Sequence, residues 1–372
     1  MGIPRIKEFN TGDNFGCAYF QMNQRKGVRW SASKAFLRPI QHRPNLTVMT
    51  NTHVQKLALQ VNEHGPRATG VWITKGGDAP SLVTATREVI LAAGAVASPQ
   101  ILQLSGIGEA GLMQQLGAAP VIDLPGVGHN LQDHLQIRTI YKVSNTTTLN
   151  PRVNSLVGKA MMGLEYLLFK TGPLTMPPSQ LGAFAKSDEA QPTPNMEWHV
   201  QPLSLDQFGS PLHSFNAITP SVCNLRPASR GAITAQSLDP LMAPKINLNY
   251  LSSPEDEAVA LAGLRMTRRI MKAKALARFL PEEWKPGPER QSDAELLDAA
   301  RDLGTTIFHP VGTCKMGADP AAVVDDRLMV HGCKGLRVID ASIMPLITSG
   351  NTNAPTVMIA EKGAQFIIED AG

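Results

Sequence analysis

Apolar positions along this chain follow two patterns. Near residue 90 they form a short continuous run, Val89-Ile90-Leu91-Ala92-Ala93, which enters a turn at Gly94. A short apolar run bounded by a glycine reads as a buried strand. Ser98-Pro99 then reads as the cap and first residue of a helix to Leu104. The same sign recurs at Leu336 to Ile339, a second buried strand closed by Asp340. A last helix is expected from about Pro355 to Glu369, with Asn353 as N-cap and Pro355 in its first turn. Upstream, Asn45–Thr50, His53–Val61 and Ala68–Lys75 read as strands, the last ending in the turn Gly76-Gly77-Asp78. Trp30 to Leu37 reads as a helix start with a serine cap.

From Leu135 the pattern changes. Leu135–Val143 alternates as a half-buried strand, and Leu156–Lys170 is a helix ended by Gly172-Pro173. Met196–Val200, Phe215–Leu225 and Gly231–Gln236 are strands without helices between them, which implies an antiparallel sheet. Ser252-Ser253-Pro254-Glu255 opens a long helix with acids first and bases later, and Ser292-Asp293-Ala294-Glu295 is a capping box. The expected architecture is a two-domain α/β protein. One domain is drawn from both ends of the chain, residues 1–134 and 305–372. The other is an α+β domain with an antiparallel sheet, residues 135–304.

Composition narrows the function. A chain of 372 residues with 43% hydrophobic and 18% charged residues buries a large core. A net charge of +4 without a long basic run speaks against nucleic acid as partner. No apolar run has the length of a membrane span, and no secretory signal opens the sequence. Cys17, Cys223, Cys314 and Cys333 form no C-x-x-C pair, so no metal site is expected and a reduced, cytoplasmic setting is, with peripheral membrane association left open.

Two motifs are decoys on context. Gly106-Ile107-Gly108-Glu109-Ala110-Gly111 spells G-x-G-x-x-G but follows a helix, where a dinucleotide loop must follow a strand. His129, Asp133 and His134 do not have zinc spacing and read as a hydrogen-bonded structural loop. The chemistry concentrates in Phe308-His309-Pro310-Val311-Gly312-Thr313, Asp340-Ala341-Ser342 and Ser349-Gly350-Asn351-Thr352-Asn353-Ala354-Pro355-Thr356. An imidazole, a carboxylate, two asparagines and a helix N-terminus are expected to converge outside the carboxyl ends of strands. Alone, His309 reads first as a hydrogen-bonded core histidine and Asn353 first as a bare cap, and the Gly94 corner reads equally as an ordinary strand–helix corner.

These segments closely resemble the signatures of the glucose–methanol–choline oxidoreductases, the FAD-dependent alcohol and choline dehydrogenases and oxidases. Gly94 to Gly108 follows the family's second signature, and Val127-Gly128-His129-Asn130-Leu131-Gln132-Asp133-His134 its V-G-x-N-L-Q-D-H segment. The resemblance implies FAD as cofactor, a small alcohol as substrate and an unidentified electron acceptor. It implies His309 as the base taking the hydroxyl proton and Asn353 as the partner of the alcohol oxygen. Cofactor contacts fall at Val54 beside the adenine, at Ala93, Gly94 and Ser98 in the corner, at Asp340 and Ala341 near the ribityl or diphosphate, and at Thr352 and Pro355 near the pyrimidine. Family members begin with a strand, a true G-x-G-x-x-G and a helix. Nothing before residue 30 fits that description, so the FAD-binding domain is expected to be incomplete, lacking its N-terminal βαβ unit. An inactive fragment, a subunit needing a separate N-terminal polypeptide and a flavin-containing lyase are the alternatives.

Overall fold

The computed structural model describes residues 2–372. The chain is mixed α/β and divides into two compact units, each built from three segments. The first comprises residues 1–48, 135–225 and 254–306; the second comprises 49–134, 226–253 and 307–372. The breaks after His134 and near Thr306 lie where the alternation of the sequence changes. Two pieces depart from the expected division. Residues 1–48 go with the middle of the chain, because Gly16–Tyr19 pairs antiparallel with Leu181–Ala185. Residues 226–253 go with the two ends, because Gln103 ties them in: its Nε2 donates to Ile233 O at 3.0 Å and its Oε1 accepts from Ala235 N at 2.8 Å.

The first unit is organised on an antiparallel sheet. Its strands run in the order Gly16–Tyr19, Leu181–Ala185, Met196–Gln201, Ala217–Asn224, Leu135–Arg138, Gly304–Thr306. The expected single strand 135–143 is broken at Thr139, whose hydroxyl turns to Pro220 O at 2.8 Å, and resumes as Ile140–Lys142. The helix Pro254–Met271 packs on this sheet, its first turn carrying Glu255, Asp256 and Glu257 and its last Arg268 and Arg269. Ser292 and Glu295 form the capping box of Asp293–Leu303. The helix expected at Trp30 shrinks to five residues, Ser33–Leu37, after Ala32 rather than a serine cap.

The second unit holds the parallel pair Val89–Leu91 and Leu336–Val338. Beside it stands the antiparallel sheet Thr52–Asn62, Gly65–Lys75, Ser81–Thr84. The core runs through Leu57, Leu91, Leu102, Val311, Leu336 and Val338, all buried. Residues 45–50 form no strand: their alternation supplies a face but no neighbouring ladder among the described residues.

Both expected helix starts need correction. The corner helix spans Gly94–Leu104, so Pro99 lies inside it and Ser98 is not its cap. A proline there leaves the carbonyl four residues back without its N–H. That carbonyl, Ala95 O, instead accepts from the Thr313 hydroxyl at 2.6 Å. Ser98 works from inside the helix, its Oγ accepting the Ala93 N–H at 3.1 Å. The last helix spans Asn353–Asp370 and its N-cap is Thr352, which makes no side-chain capping bond; Asn353 is its first residue. Gly363 lets this helix approach the sheet, since a Cβ there would stand 2.6 Å from Ile339 Cγ2. No helix among the described residues is long and apolar enough to cross a membrane.

Candidate active site

Two short segments of the second unit lie side by side and set the geometry. Gln132 and Val311 exchange backbone hydrogen bonds at 3.0 and 2.9 Å, and Ile307 N donates to His134 O at 3.2 Å. This pairing brings His309 against the loop that holds Asp133 and His134. Asp133 is buried and is the hub. Its Oδ1 accepts the backbone N–H of His309 and of His134, each at 2.9 Å, and its Oδ2 accepts the Tyr250 hydroxyl at 2.5 Å. A carboxylate held by several donors stays where it is put.

The two imidazoles meet edge-on, with ring planes at 85° and Nδ1 of His134 3.1 Å from Nδ1 of His309. On the other side of the His309 ring, Asn351 Nδ2 stands 3.2 Å from Nε2. The amide N–H donates, so Nε2 is the acceptor and carries the lone pair. The ring proton then sits on Nδ1 and is directed at His134 Nδ1. A neutral imidazole with a lone pair on one nitrogen and its proton held on the other is a ready general base.

A second constellation sits at the carboxyl ends of the parallel strands. Asp340, buried, accepts Gly94 N–H at 2.8 Å and the Ser98 hydroxyl at 2.6 Å on Oδ2, and Ser342 N–H at 2.8 Å on Oδ1. Its oxygens are engaged by the protein, so it locks the corner. Gly94 has φ +83°, a conformation that favours glycine, and nothing stands within 4 Å of where its Cβ would be. The first-turn amides of the helix that begins there have no intrahelical partner. An open face and a glycine without side chain at a helix N-terminus fit the close approach of a flavin cofactor.

Of the residues singled out in the sequence, Ala93, Gly94, Ser98 and Asp340 meet in this corner. Ala341 opens the turn after Asp340, and its carbonyl accepts Gly312 N–H at 3.3 Å. Thr352 is buried, its carbonyl taking the N–H and hydroxyl of Thr356 at 3.1 and 2.7 Å. Pro355 is the third residue of the last helix, and Asn353 is exposed at its start. Val54 pairs with Ile73 and packs partly buried against the core. The asparagine seen to touch His309 is Asn351. Asp133 and His134 were read as part of a hydrogen-bonded structural loop and not as neighbours of His309, and Tyr250 was given no role. No local spacing announces a partner 175 residues away, and the one sign of His134 was the motif it ends.

The comparisons with known proteins agree with one another. Two models of the family described as GMC oxidoreductase match residues 1–136 and 227–360. An alcohol dehydrogenase [acceptor] of Pseudomonas putida is 41% identical over 97% of the chain, and an oxygen-dependent choline dehydrogenase of Klebsiella pneumoniae is 41% identical over 98%. The chain spans 65% and 66% of their lengths. Among solved structures, a pyridoxine 4-oxidase from Mesorbium loti superposes with TM-score 0.84 at 28% identity, over 98% of this chain and 66% of that one. An FAD-dependent oxidoreductase from Chaetomium thermophilum gives 0.87 at 25% identity, over 100% and 70%.

Proposed function

From the premise that the chain belongs to the GMC oxidoreductase family, we propose that it serves the FAD-dependent oxidation of a small alcohol to an aldehyde or ketone. The observation that carries this reading is the alignment Asn351 Nδ2–His309 Nε2 and His309 Nδ1–His134 Nδ1. It holds the imidazole neutral with its lone pair presented. His309 Nε2 accepts the hydroxyl proton, and the alcohol oxygen gains alkoxide character as the carbon-bound hydrogen leaves. The proton so gained lies on a ring whose other N–H is already shared with His134, which spreads the new charge over two imidazoles. Asp133 fixes the backbone of both histidines, so neither ring gains its position at substrate's expense.

Asn353, by family likeness, holds the alcohol oxygen. Asn351 orders the base until a hydroxyl takes its place on Nε2. The flavin, when bound, supplies the acceptor for the carbon-bound hydrogen as hydride. Ala93, Gly94, Ser98, Asp340, Ala341, Thr352 and Pro355 are the residues of the second unit that would hold it, with Val54 toward the adenine. In this reading the second unit is the FAD-binding domain and the first the substrate domain. Relatives named alcohol and choline dehydrogenase point to alcohols as the substrate class.

Anaerobic titration of the FAD-loaded protein with 1-butanol or choline tests the proposal. Bleaching of the flavin is expected, and His309→Ala should slow it by about 10²–10⁴-fold with the flavin still bound. Equal rates in parent and variant at saturating alcohol would remove His309 from the mechanism.

A further inference from the structure

The sheet of the first unit has two unlike faces. Met196, Trp198 and Val222 point to one side, where Trp198 Nε1 donates to Thr267 of the helix Pro254–Met271 at 2.8 Å and Val222 and Met196 lie against Gly263. The alternate positions carry Gln136, Arg138, Glu197, His199, Ser221 and Cys223, and all six are buried. Register places Arg138 opposite Ser221, and Ser221 opposite His199. Directly opposed residues on neighbouring strands have Cβ atoms about 4.5–5.5 Å apart, so these three form one row across the sheet.

Within that row all three side chains are incompletely satisfied, His199 at Nε2. Arg138 is 5% exposed, yet its Nε and Nη1 have no hydrogen-bond partner, and Ser221 Oγ has none. Nη2 reaches Gln201 Oε1 at 3.3 Å. Among the described residues no carboxylate pairs with Arg138, and burial without an opposing charge lowers its pKa from the usual guanidinium value. The Phe208 ring, 4.5 Å from the guanidinium carbon, offsets part of the cost of burying the charge. A cation–π contact is weaker than the loss of hydration of an unpaired ion. On the same face of the sheet Glu197 Oε1 lies 3.1 Å from His199 Nε2. Glu197, His199 and Cys223 also bring donor atoms within 4.8 Å of one another, as a divalent cation would need. The Arg138 guanidinium, on the same face and in the row of His199, opposes a cation and attracts an anion.

We infer that this row is a recognition site for a small organic carboxylate, with Arg138 supplying the charge and Ser221 a hydroxyl donor. A singly charged carboxylate suits one guanidinium, whereas a phosphate dianion carries a second charge that a single guanidinium does not balance. The inference concerns binding alone and stands apart from the redox reading.

Isothermal titration of the chain with butyrate, its neutral isostere butyramide and inorganic phosphate tests it, alongside thermal unfolding without ligand. Loss of a charge-assisted hydrogen bond is worth about 10-fold or more in affinity. Butyrate should therefore bind saturably and at least about 10-fold tighter than butyramide, with phosphate weaker than butyrate. Arg138→Met should erase the preference for butyrate while the Tm without ligand stays equal or rises, since an unpaired buried charge has gone. Ser221→Ala should weaken butyrate by a smaller factor and leave the Tm unchanged. Equal binding of butyrate and butyramide, no saturable binding of butyrate, tighter binding of phosphate, or a Tm for Arg138→Met several degrees below the parent would each overturn the assignment. The last result would mark Arg138 as a residue that the fold itself needs.

Discussion

Asp340 offers the sharpest test of how the second unit is held together. Its carboxylate accepts from Gly94 N, Ser98 Oγ and Ser342 N, and Ser98 and Ser342 are fully buried. Hydrogen bonds to charged groups contribute about 1.5–3 kcal/mol each, and a buried donor left unpaired costs about 1–3 kcal/mol. Replacement by Ala strips three donors at once. Even at the low end of the first range, three such bonds amount to about 4.5 kcal/mol, a large part of the roughly 5–15 kcal/mol by which a domain is stable. Asp340→Asn should cost less. Its amide oxygen can take the Oδ2 position and serve Gly94 and Ser98, leaving one N–H-against-N–H clash at Ser342, about 1–3 kcal/mol. Ser98→Ala removes one bond to the carboxylate and the acceptor of Ala93 N–H. Its cost should shrink in the Asp340→Ala background by the share that runs through the carboxylate, the loss at Ala93 N–H remaining. Hydrogen exchange at the amides of Gly94–Leu104 and the parallel strands reads this unit separately from the other. A loss below about 1 kcal/mol for Asp340→Ala would refute the account of the corner, as would a Ser98→Ala cost that is the same in both backgrounds.

Other expectations follow from single contacts. Gly363→Ala should destabilise the last helix by about 1–3 kcal/mol, because the new methyl meets Ile339 on a packed face; an unchanged unfolding midpoint in urea would speak against that packing. Burial raises the thiol pKa of Cys314, and raises that of Cys333 to about 11. The thiolate is the reactive form, so neither should react with an aromatic disulfide reagent at pH 8, while the part-exposed Cys17 should. Modification of Cys333 should grow only as pH rises toward its folded-state value, and all four thiols should react at pH 8 in denaturant. Asn351→Ala, which removes the amide from His309 Nε2, should alter the pH dependence of flavin bleaching, and an unaltered profile would separate Asn351 from the base.

Much of this architecture is legible in the sequence because its signals are local. The strand at Val89 and the glycine turn, the strand at Leu336 and the capping box at Ser292 depend on neighbours within a few positions. Helix starts were harder to read. Ser98-Pro99 carries every mark of a first turn, yet the helix begins at Gly94, since Thr313 far along the chain fills the acceptor left idle by the proline. Asn353 has the residue type of a cap, and Thr352 occupies the position without making the bond. Residues 45–50 show that alternation specifies a face and not a ladder. For the site, His309 was visible through its motif. Its setting was not: His134 and Asp133 reach His309 from about 175 residues away, Tyr250 reaches Asp133 across 117 residues and Asn351 reaches His309 across 42, and no periodicity encodes such contacts.

Each unit is assembled from three separate stretches of sequence, and that has a consequence for how the molecule is made. During synthesis the strand Val89–Leu91 leaves the ribosome about 250 residues before its parallel partner Leu336–Val338 exists. Gly16–Tyr19 likewise waits for Leu181–Ala185. Contacts so distant in sequence are slow to form, because the loop must close before anything rewards it. Apolar strands that belong inside are therefore displayed to the surroundings while the chain grows. A nascent chain of this kind should lean on holding chaperones until its last 60 or so residues are free, and refolding from denaturant should compete poorly with aggregation as concentration rises.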